Sequence, residues 1–153
     1  MKVIFLDFDG VLNSADFRDS VDDYYHNFID ETRMPVLSRI VRETGAVIVL
    51  STTWKVLWDK DVERNTEDGR KIDEIFGGYG LEIFSKTECA DDDRNFEIFL
   101  WLCNHEVENY VILDDLDFRW SDENRRHFVM TYDDRCGLDE DAADRAIKIL
   151  KRS

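Results

Sequence analysis

The sequence predicts an α/β fold, a Rossmann-like three-layer sandwich with a mostly parallel central sheet. Short apolar runs rich in β-branched residues, such as residues 3–6 and 110–113, are typical of strands buried on both faces. Helical patterns alternate with these runs, and a strand–helix–strand order implies parallel pairing with right-handed crossovers. We expect a single domain over residues 1–153, because a chain of this length can bury one good core.

The first predicted strand, residues 3–6, runs directly into Asp7, Asp9 and Gly10. In open parallel sheets the ligand binds beyond the carboxyl ends of the strands, and Asp7 and Asp9 lie at such an end. Gly10 lets the backbone turn without a Cβ clash. A carboxylate here can act as a nucleophile, a metal ligand or a general acid. The alternative is an ordinary turn, in which Asp is common.

The segment that follows, residues 14–33, shows no clean period and is predicted to be a loop or hairpin insert over the strand end. Neither this insert nor the stretch at 54–80 is long enough to bury a core of its own. We therefore expect little or no cap domain, and a site that is open or only partly roofed.

A helix at residues 32–44 and a strand at 46–50 complete the first strand–helix–strand unit. Because parallel neighbours end at the same edge of a sheet, Ser51 is expected beside Asp7. Ser51 and Thr52 are candidates to bind phosphate at the start of the next helix. They are equally the kind of side chain that caps a helix.

The rest of the chain continues the alternation of helices and strands. The helix at residues 95–105 carries an apolar face formed by Phe96, Phe99, Leu100 and Cys103. The remaining elements are predicted as helices at 54–64 and 71–76, strands at 81–84, 110–113 and 127–130, and a final helix from residue 139.

A second acidic cluster, residues 114–117, follows the strand at 110–113. On a strand beside the first one, it would lie within a few ångströms of Asp7. Carboxylates so close repel one another unless one is protonated or a cation lies between them. The alternative interpretation of residues 114–117 is an acidic turn exposed to solvent. The expected cation is Mg²⁺, which takes oxygen ligands. The candidate metal ligands are Asp7, Asp9, Asp114 and Asp115.

The order of these motifs resembles that of the haloacid dehalogenase-like (HAD) superfamily: strand–Asp-x-Asp-Gly, strand–Ser, Lys, strand–Asp-Asp. The strings Asp-Phe-Asp-Gly-Val-Leu-Asn, Leu-Ser-Thr-Thr-Trp-Lys, Ser-Lys-Thr and Tyr-Val-Ile-Leu-Asp-Asp are similar to the small HAD domain described from bacterial RNA-repair fusion proteins. The resemblance implies phosphoryl transfer through an aspartyl-phosphate. Asp7 is then the nucleophile, and Asp9 is the general acid and afterwards the base.

The resemblance also implies roles for the polar residues after the other strands. Ser51 would donate a hydrogen bond to a phosphoryl oxygen, and Asp114 would hold Mg²⁺ together with Asp7. Lys86, which stands where the family's third motif is expected, would neutralise developing charge. Lys55 competes for that role, and we assign it to substrate or leaving-group contact. For both lysines a solvated surface position is the alternative.

The charge and the cysteine content of the sequence limit the kinds of molecule and cellular location that we expect for this protein. The net charge of −15 opposes non-specific attraction to nucleic acid and anionic membranes, and an acidic run at residues 91–93 opposes a polynucleotide grip. No apolar run is long enough to span a membrane. The three cysteines are widely spaced and form no Cys-x-x-Cys pair, which favours reduced thiols over a zinc or redox site. We therefore expect a cytoplasmic protein.

The function expected from the sequence is Mg²⁺-dependent phosphoryl hydrolysis, with a nucleotide or a polynucleotide phosphate end as substrate. One alternative is a phosphatase of small phosphate esters or phosphoproteins. Another is a non-catalytic HAD-fold binding or regulatory module, which the presence of both Asp7 and Asp9 opposes. A receiver domain would carry its phosphorylated Asp on the third strand, where this chain has Ser-Lys.

Overall fold

The sheet at the centre of the molecule is built from the apolar runs that the sequence marks as strands. The computed structural model describes residues 1–152, so Ser153, the last residue of the predicted domain, lies outside the described residues. The strands are β1 (Lys2–Leu6), β2 (Val47–Leu50), β3 (Ile83–Lys86), β4 (Asn109–Asp114) and β5 (Phe128–Met130). Within the described residues all strand pairs are parallel, in the order β3-β2-β1-β4-β5, which confirms the predicted α/β class.

The register of the three central strands brings their polar ends together. Leu6 of β1 is level with Leu50 of β2 on one side and with Leu113 of β4 on the other. The backbone N–H of Ser51 donates to the carbonyl of Leu6 at 2.8 Å, and that of Asp7 donates to Leu113 at 3.1 Å. The expected placement of Ser51 beside Asp7 is therefore confirmed.

Helices cover both faces of the sheet, which is why the central strands are apolar on both sides. The helices are α1 (Ala15–Ser20), α2 (Met34–Thr44), α3 (Glu67–Gly78), α4 (Arg94–Cys103), α5 (Asp122–Arg125) and α6 (Glu140–Leu150). Ile4 and Leu6 share a core with α2, α3 and α6, whereas Val3 and Phe5 share a core with α4.

Most predicted elements differ from the structure by one or two residues at an end, and three of the differences change the surroundings of the strand ends. The helix predicted at 54–64 is a 3-10 helix, Thr53–Leu57. The helix predicted at 71–76 begins earlier, at Glu67, because the Thr66 side chain caps it by accepting the Gly69 N–H at 3.0 Å. Strand β3 begins two residues later than predicted, so that Lys86 is its last residue and does not follow it.

The buried face of α4 differs from the predicted one. Phe96 and Phe99 are 41% and 54% exposed. The helix instead buries Glu97, Ile98 and Trp101, and the Trp101 ring packs edge-on against Phe5 at 5.5 Å. The prediction was wrong because the apolar period did not anticipate a buried glutamate, whose partner lies elsewhere in the chain.

The insert at residues 14–33 contains α1 and two single 3-10 turns, Tyr24–His26 and Glu31–Arg33, where a loop or hairpin was predicted. An ion pair between Arg18 and Asp133, at 2.6 Å, fastens it to the segment after β5. Over residues 1–152, no helix is both long and apolar enough to cross a membrane.

Candidate active site

Three carboxylates meet where β1 and β4 end. Oxygen atoms of Asp7, Asp114 and Asp115 lie within 4.8 Å of one another. Burial, and next the Asp114 carboxylate, raise the pKa of Asp7 well above its ordinary value. The same two causes raise the pKa of Asp115 to about 6. Such a cluster needs either protons or a cation, and its all-oxygen donor set fits Mg²⁺.

The carboxylates of Asp7 and Asp114 each accept one backbone hydrogen bond and face Arg94. One oxygen of Asp7 accepts the backbone N–H of Phe8 at 2.8 Å, and one oxygen of Asp114 accepts that of Leu116 at 3.0 Å. The second oxygen of each carboxylate faces Arg94. Backbone hydrogen bonds therefore fix the direction in which these oxygens point.

Arg94 is the residue that the sequence reasoning missed. Its Nη1 lies 2.7 Å from Asp114 Oδ2 and 3.3 Å from Asp7 Oδ2, and its side chain is 11% exposed. The guanidinium also lies 4.7 Å from the centre of the Phe118 ring. Arg94 is the first residue of α4, where the helix dipole disfavours a cation. A cation in that position, shortly before an acidic strand end, is the signal that could have found it.

The structure does not bring Lys86 to the acidic cluster. Its ammonium donates to the backbone carbonyls of Trp58, at 2.6 Å, and Lys55, at 3.1 Å. These carbonyls lie at the end of the 3-10 helix, where a cation is favoured. Lys86 thus stabilises the turn that carries Thr52 and Lys55. A different cation, Arg94, contacts the carboxylates of Asp7 and Asp114.

Lys55 lines the site but is already paired. Its ammonium donates to Glu97 Oε1 and to Thr87 Oγ1, both at 2.8 Å, and both charged side chains are less than one tenth exposed. Glu97 Oε2 also accepts the Ala90 N–H at 2.9 Å. This buried pair joins the 3-10 helix to α4, and it explains why a glutamate occupies the inner face of that helix.

The Asp9 carboxylate accepts hydrogen bonds from three side chains. Its Oδ1 accepts the Asn13 side-chain amide at 3.0 Å and the Tyr24 hydroxyl, and its Oδ2 accepts the Trp54 indole N–H at 3.1 Å. The acidic cluster among residues 1–152 does not include Asp9. The geometry therefore does not support the prediction that the Asp9 side chain is a metal ligand.

The remaining predicted positions divide between the site and the surface. The Ser51 hydroxyl is buried and has no hydrogen-bond partner within the part of the chain that the structure describes. Thr52 caps the 3-10 helix by accepting the Trp54 N–H at 3.3 Å. Asp117 pairs with Arg125 at the surface, at 3.1 Å. Ser51 is thus the polar group in this set that still lacks a partner.

Gly10 is required by its surroundings. Its φ of +79° lies in the left-handed region, and a Cβ on this residue would overlap the Asp115 side chain. Glycine at this position therefore lets the β1 turn and the end of β4 approach each other.

A cavity of about 530 Å³ opens beside these residues. That volume is within the range of small-molecule sites and exceeds what a phosphate group alone would fill. Its wall combines carboxylates, two cations and an apolar rim. The lining residues include Asp7, Asp9, Asp115, Thr52, Lys55, Arg94, Val56, Leu116 and Phe118.

Comparison with protein families identifies the group to which this chain belongs. The model of a family described as the HAD domain in Swiss Army Knife RNA repair proteins matches residues 3–143. Searches of curated proteins and of solved structures gave no match. The matched range contains every candidate site residue described above.

Proposed function

As a member of the family of HAD domains in Swiss Army Knife RNA repair proteins, this chain is broadly a HAD-type phosphoryl hydrolase, and we propose that it is a Mg²⁺-dependent phosphatase acting through an aspartyl-phosphate on Asp7. The observation that carries the proposal is the buried Asp7 carboxylate, which lines the cavity with Oδ2 3.3 Å from Arg94. A phosphate ester in this cavity would meet a nucleophile and a cation together.

The reaction proceeds in two displacements. First, an Asp7 oxygen bonds to phosphorus, the bond to the leaving oxygen breaks, and Asp9 gives that oxygen its proton. Asp9 then takes a proton from water while the water oxygen attacks phosphorus, which releases phosphate and restores the Asp7 carboxylate. Asp9 lines the same cavity as Asp7 and does not belong to the acidic cluster, which supports its role as the acid and then the base.

The residues suited to hold Mg²⁺ are Asp7, Asp114 and Asp115, whose oxygens lie within 4.8 Å of one another. When bound, the ion would supply positive charge that offsets the repulsion between the anionic nucleophile and the anionic phosphate. Arg94 would stabilise the charge that develops on the transferring group, the role expected of Lys86 from the sequence. The unpartnered Ser51 hydroxyl would donate to a phosphoryl oxygen.

The substrate proposed is a nucleotide or the phosphate end of a polynucleotide. The family supports this class, and the cavity has room for a group larger than phosphate. Acidic residues around the opening, including Asp92, oppose a long polyanion. This observation favours a second candidate, a phosphatase of small phosphate esters, and the two are separated by the choice of substrate.

The test is phosphate release from p-nitrophenyl phosphate, mononucleotides, and oligonucleotides phosphorylated at the 3′ or the 5′ end, with Mg²⁺ and with EDTA. We expect Mg²⁺-dependent release that is lost in Asp7→Asn and kept in Asp117→Asn, whose carboxylate is at the surface. Preference for oligonucleotide ends would support the first candidate, and preference for mononucleotides or simple esters the second. A folded protein that binds Mg²⁺ and releases no phosphate would overturn the proposal.

A further inference from the structure

The Asp9 carboxylate receives hydrogen bonds from three different parts of the chain. Asn13, just after the β1 turn, and Tyr24, in the insert, donate to Oδ1, while Trp54 of the 3-10 helix donates to Oδ2. Donors on both oxygens leave the carboxylate little freedom to rotate. A residue that merely ended a strand would not require such a set.

The side chains that donate to Asp9 are themselves fixed. The Trp54 indole stacks on the Phe28 ring, with 4.2 Å between the ring centroids and 9° between the ring planes. The Tyr24 ring is nearly perpendicular to the indole, with 5.9 Å between the ring centroids. The Asn13 amide also donates to the Phe28 carbonyl at 2.7 Å. The direction of the indole N–H is therefore set by aromatic packing between the insert and the body of the protein.

The insert that carries Tyr24 contacts the body of the protein at two places. Arg18 forms an ion pair with Asp133 on one side, at 2.6 Å. On the other side, Lys71 of α3 donates to the His26 carbonyl at 2.7 Å. The position of the Tyr24 hydroxyl consequently depends on how the insert docks on the body.

We infer that Tyr24 and Trp54 are positioning residues, which hold the Asp9 carboxyl at the cavity wall, apart from the acidic cluster, so that it can serve the leaving oxygen. The inference rests on the proposed function of Asp9. Its physical basis is that a mobile carboxyl would be drawn to the Arg94 guanidinium beside Asp7, where it could not reach the leaving group. Protonation of the leaving group thereby depends on a correctly docked insert.

The consequence to measure is a dependence on the leaving group. Nitrophenolate departs from phosphorus without help from an acid, whereas an alkoxide such as that of glycerol phosphate needs the proton of Asp9. Tyr24→Phe and Trp54→Phe each remove one donor and keep an aromatic ring in the packing. Tyr25→Phe is the matched control, because Tyr25 stands next in the chain, is 72% exposed and is not a donor to Asp9.

We expect each variant to lower kcat/KM for glycerol phosphate by roughly tenfold or more, with a much smaller change for p-nitrophenyl phosphate. The ratio of the two values isolates positioning, since a structural defect lowers both alike. Tyr25→Phe should leave the ratio unchanged. Thermal melting of each variant checks that the fold is kept.

Asp9→Asn separates failure of this inference from failure of the proposed function. If Asp9→Asn shows the selective loss and neither Tyr24→Phe nor Trp54→Phe does, the positioning role is wrong and the acid role stands. If Asp9→Asn lowers both substrates equally, the acid role is wrong and the inference falls with it. Equal losses for both substrates in the two aromatic variants would assign Tyr24 and Trp54 to folding alone.

Discussion

Removing the Arg94 guanidinium should make the stability of the protein depend on a divalent cation. In the metal-free protein, Arg94 is the cation between Asp7 and Asp114, and its side chain is 11% exposed. In Arg94→Gln the two carboxylates, 7% and 1% exposed, would face each other without that charge. Breaking a buried ion pair in this way typically costs about 3–5 kcal/mol.

We expect the lower end of that range near neutral pH. The raised pKa of Asp7, which burial and Asp114 cause, means that this carboxyl can take a proton and relieve part of the repulsion. A loss of about 3 kcal/mol corresponds to a decrease in Tm of roughly 6–12 °C for a domain of this size. Mg²⁺ at about 100 times its Kd adds roughly 2.7 kcal/mol and should restore most of the loss.

The assay is thermal unfolding followed by tryptophan fluorescence, in EDTA and over a Mg²⁺ titration. Arg125→Gln is the control, because it removes an arginine from an exposed ion pair with Asp117, and such pairs contribute about 0–1 kcal/mol. An Arg94→Gln protein that melts within about 2 °C of the wild type in EDTA would refute the reasoning. The reasoning would also be refuted if the same Mg²⁺ concentrations raised the Tm of Arg94→Gln no more than they raised the Tm of the wild type.

Proton binding at Asp115 and the contacts of Lys55 and Lys86 each have a measurable consequence. Mg²⁺ should bind more tightly as pH rises through about 6, the raised pKa of Asp115. In the metal-free protein, the contribution of Asp115 to stability should be fully present below pH 3.8, the ordinary pKa of this group, and lost as pH rises through about 6. Titration calorimetry at several pH values tests the first expectation, and the difference in Tm between the wild type and Asp115→Asn over the same pH range tests the second; an affinity or a difference that does not change with pH would contradict them. Glu97→Ala should lower the free energy of unfolding, measured in denaturant, by about 3–5 kcal/mol, because it leaves the buried Lys55 ammonium without its partner. The double variant Lys55→Met, Glu97→Leu removes both charges and should lower it much less; equal decreases in the two proteins would contradict this reasoning. Lys86→Met should lower the free energy of unfolding by about 1–3 kcal/mol, because two backbone carbonyls lose their hydrogen-bond donor. The kcat of the folded variant should stay within about threefold of the wild type. A roughly hundredfold decrease in kcat would instead show that Lys86 takes part in the reaction.

Much of the fold followed from the sequence, because buried parallel strands leave a strong local signal. The apolar run of β1 and the alternation with helices fixed the class of fold, and parallel pairing brought the ends of β1, β2 and β4 to one edge. The neighbourhood of Asp7, Ser51 and Asp114 could be predicted for this reason. It depends on the order of the strands and needs no knowledge of side-chain directions.

Only the tertiary structure decided which cation meets the carboxylates. Lys86 and Arg94 both precede Asp114 in the sequence, and both are ordinary surface residue types. Lys86, at the end of β3, donates to backbone carbonyls, whereas Arg94, at the start of α4, contacts the carboxylates of Asp7 and Asp114. Direction is a property of packing between distant segments, and no local period records it.

The surroundings of Asp9 and the inner face of α4 were hidden from the sequence for the same reason. Asp9 is held by Tyr24 and Trp54, which are distant in sequence, and Glu97 is buried because Lys55 comes to it from another element. A hydrophobic pattern identifies what must leave water, but it carries no information on which polar groups pair. The sequence by itself thus determined the position of the site, and long-range contacts decided which side chains face it.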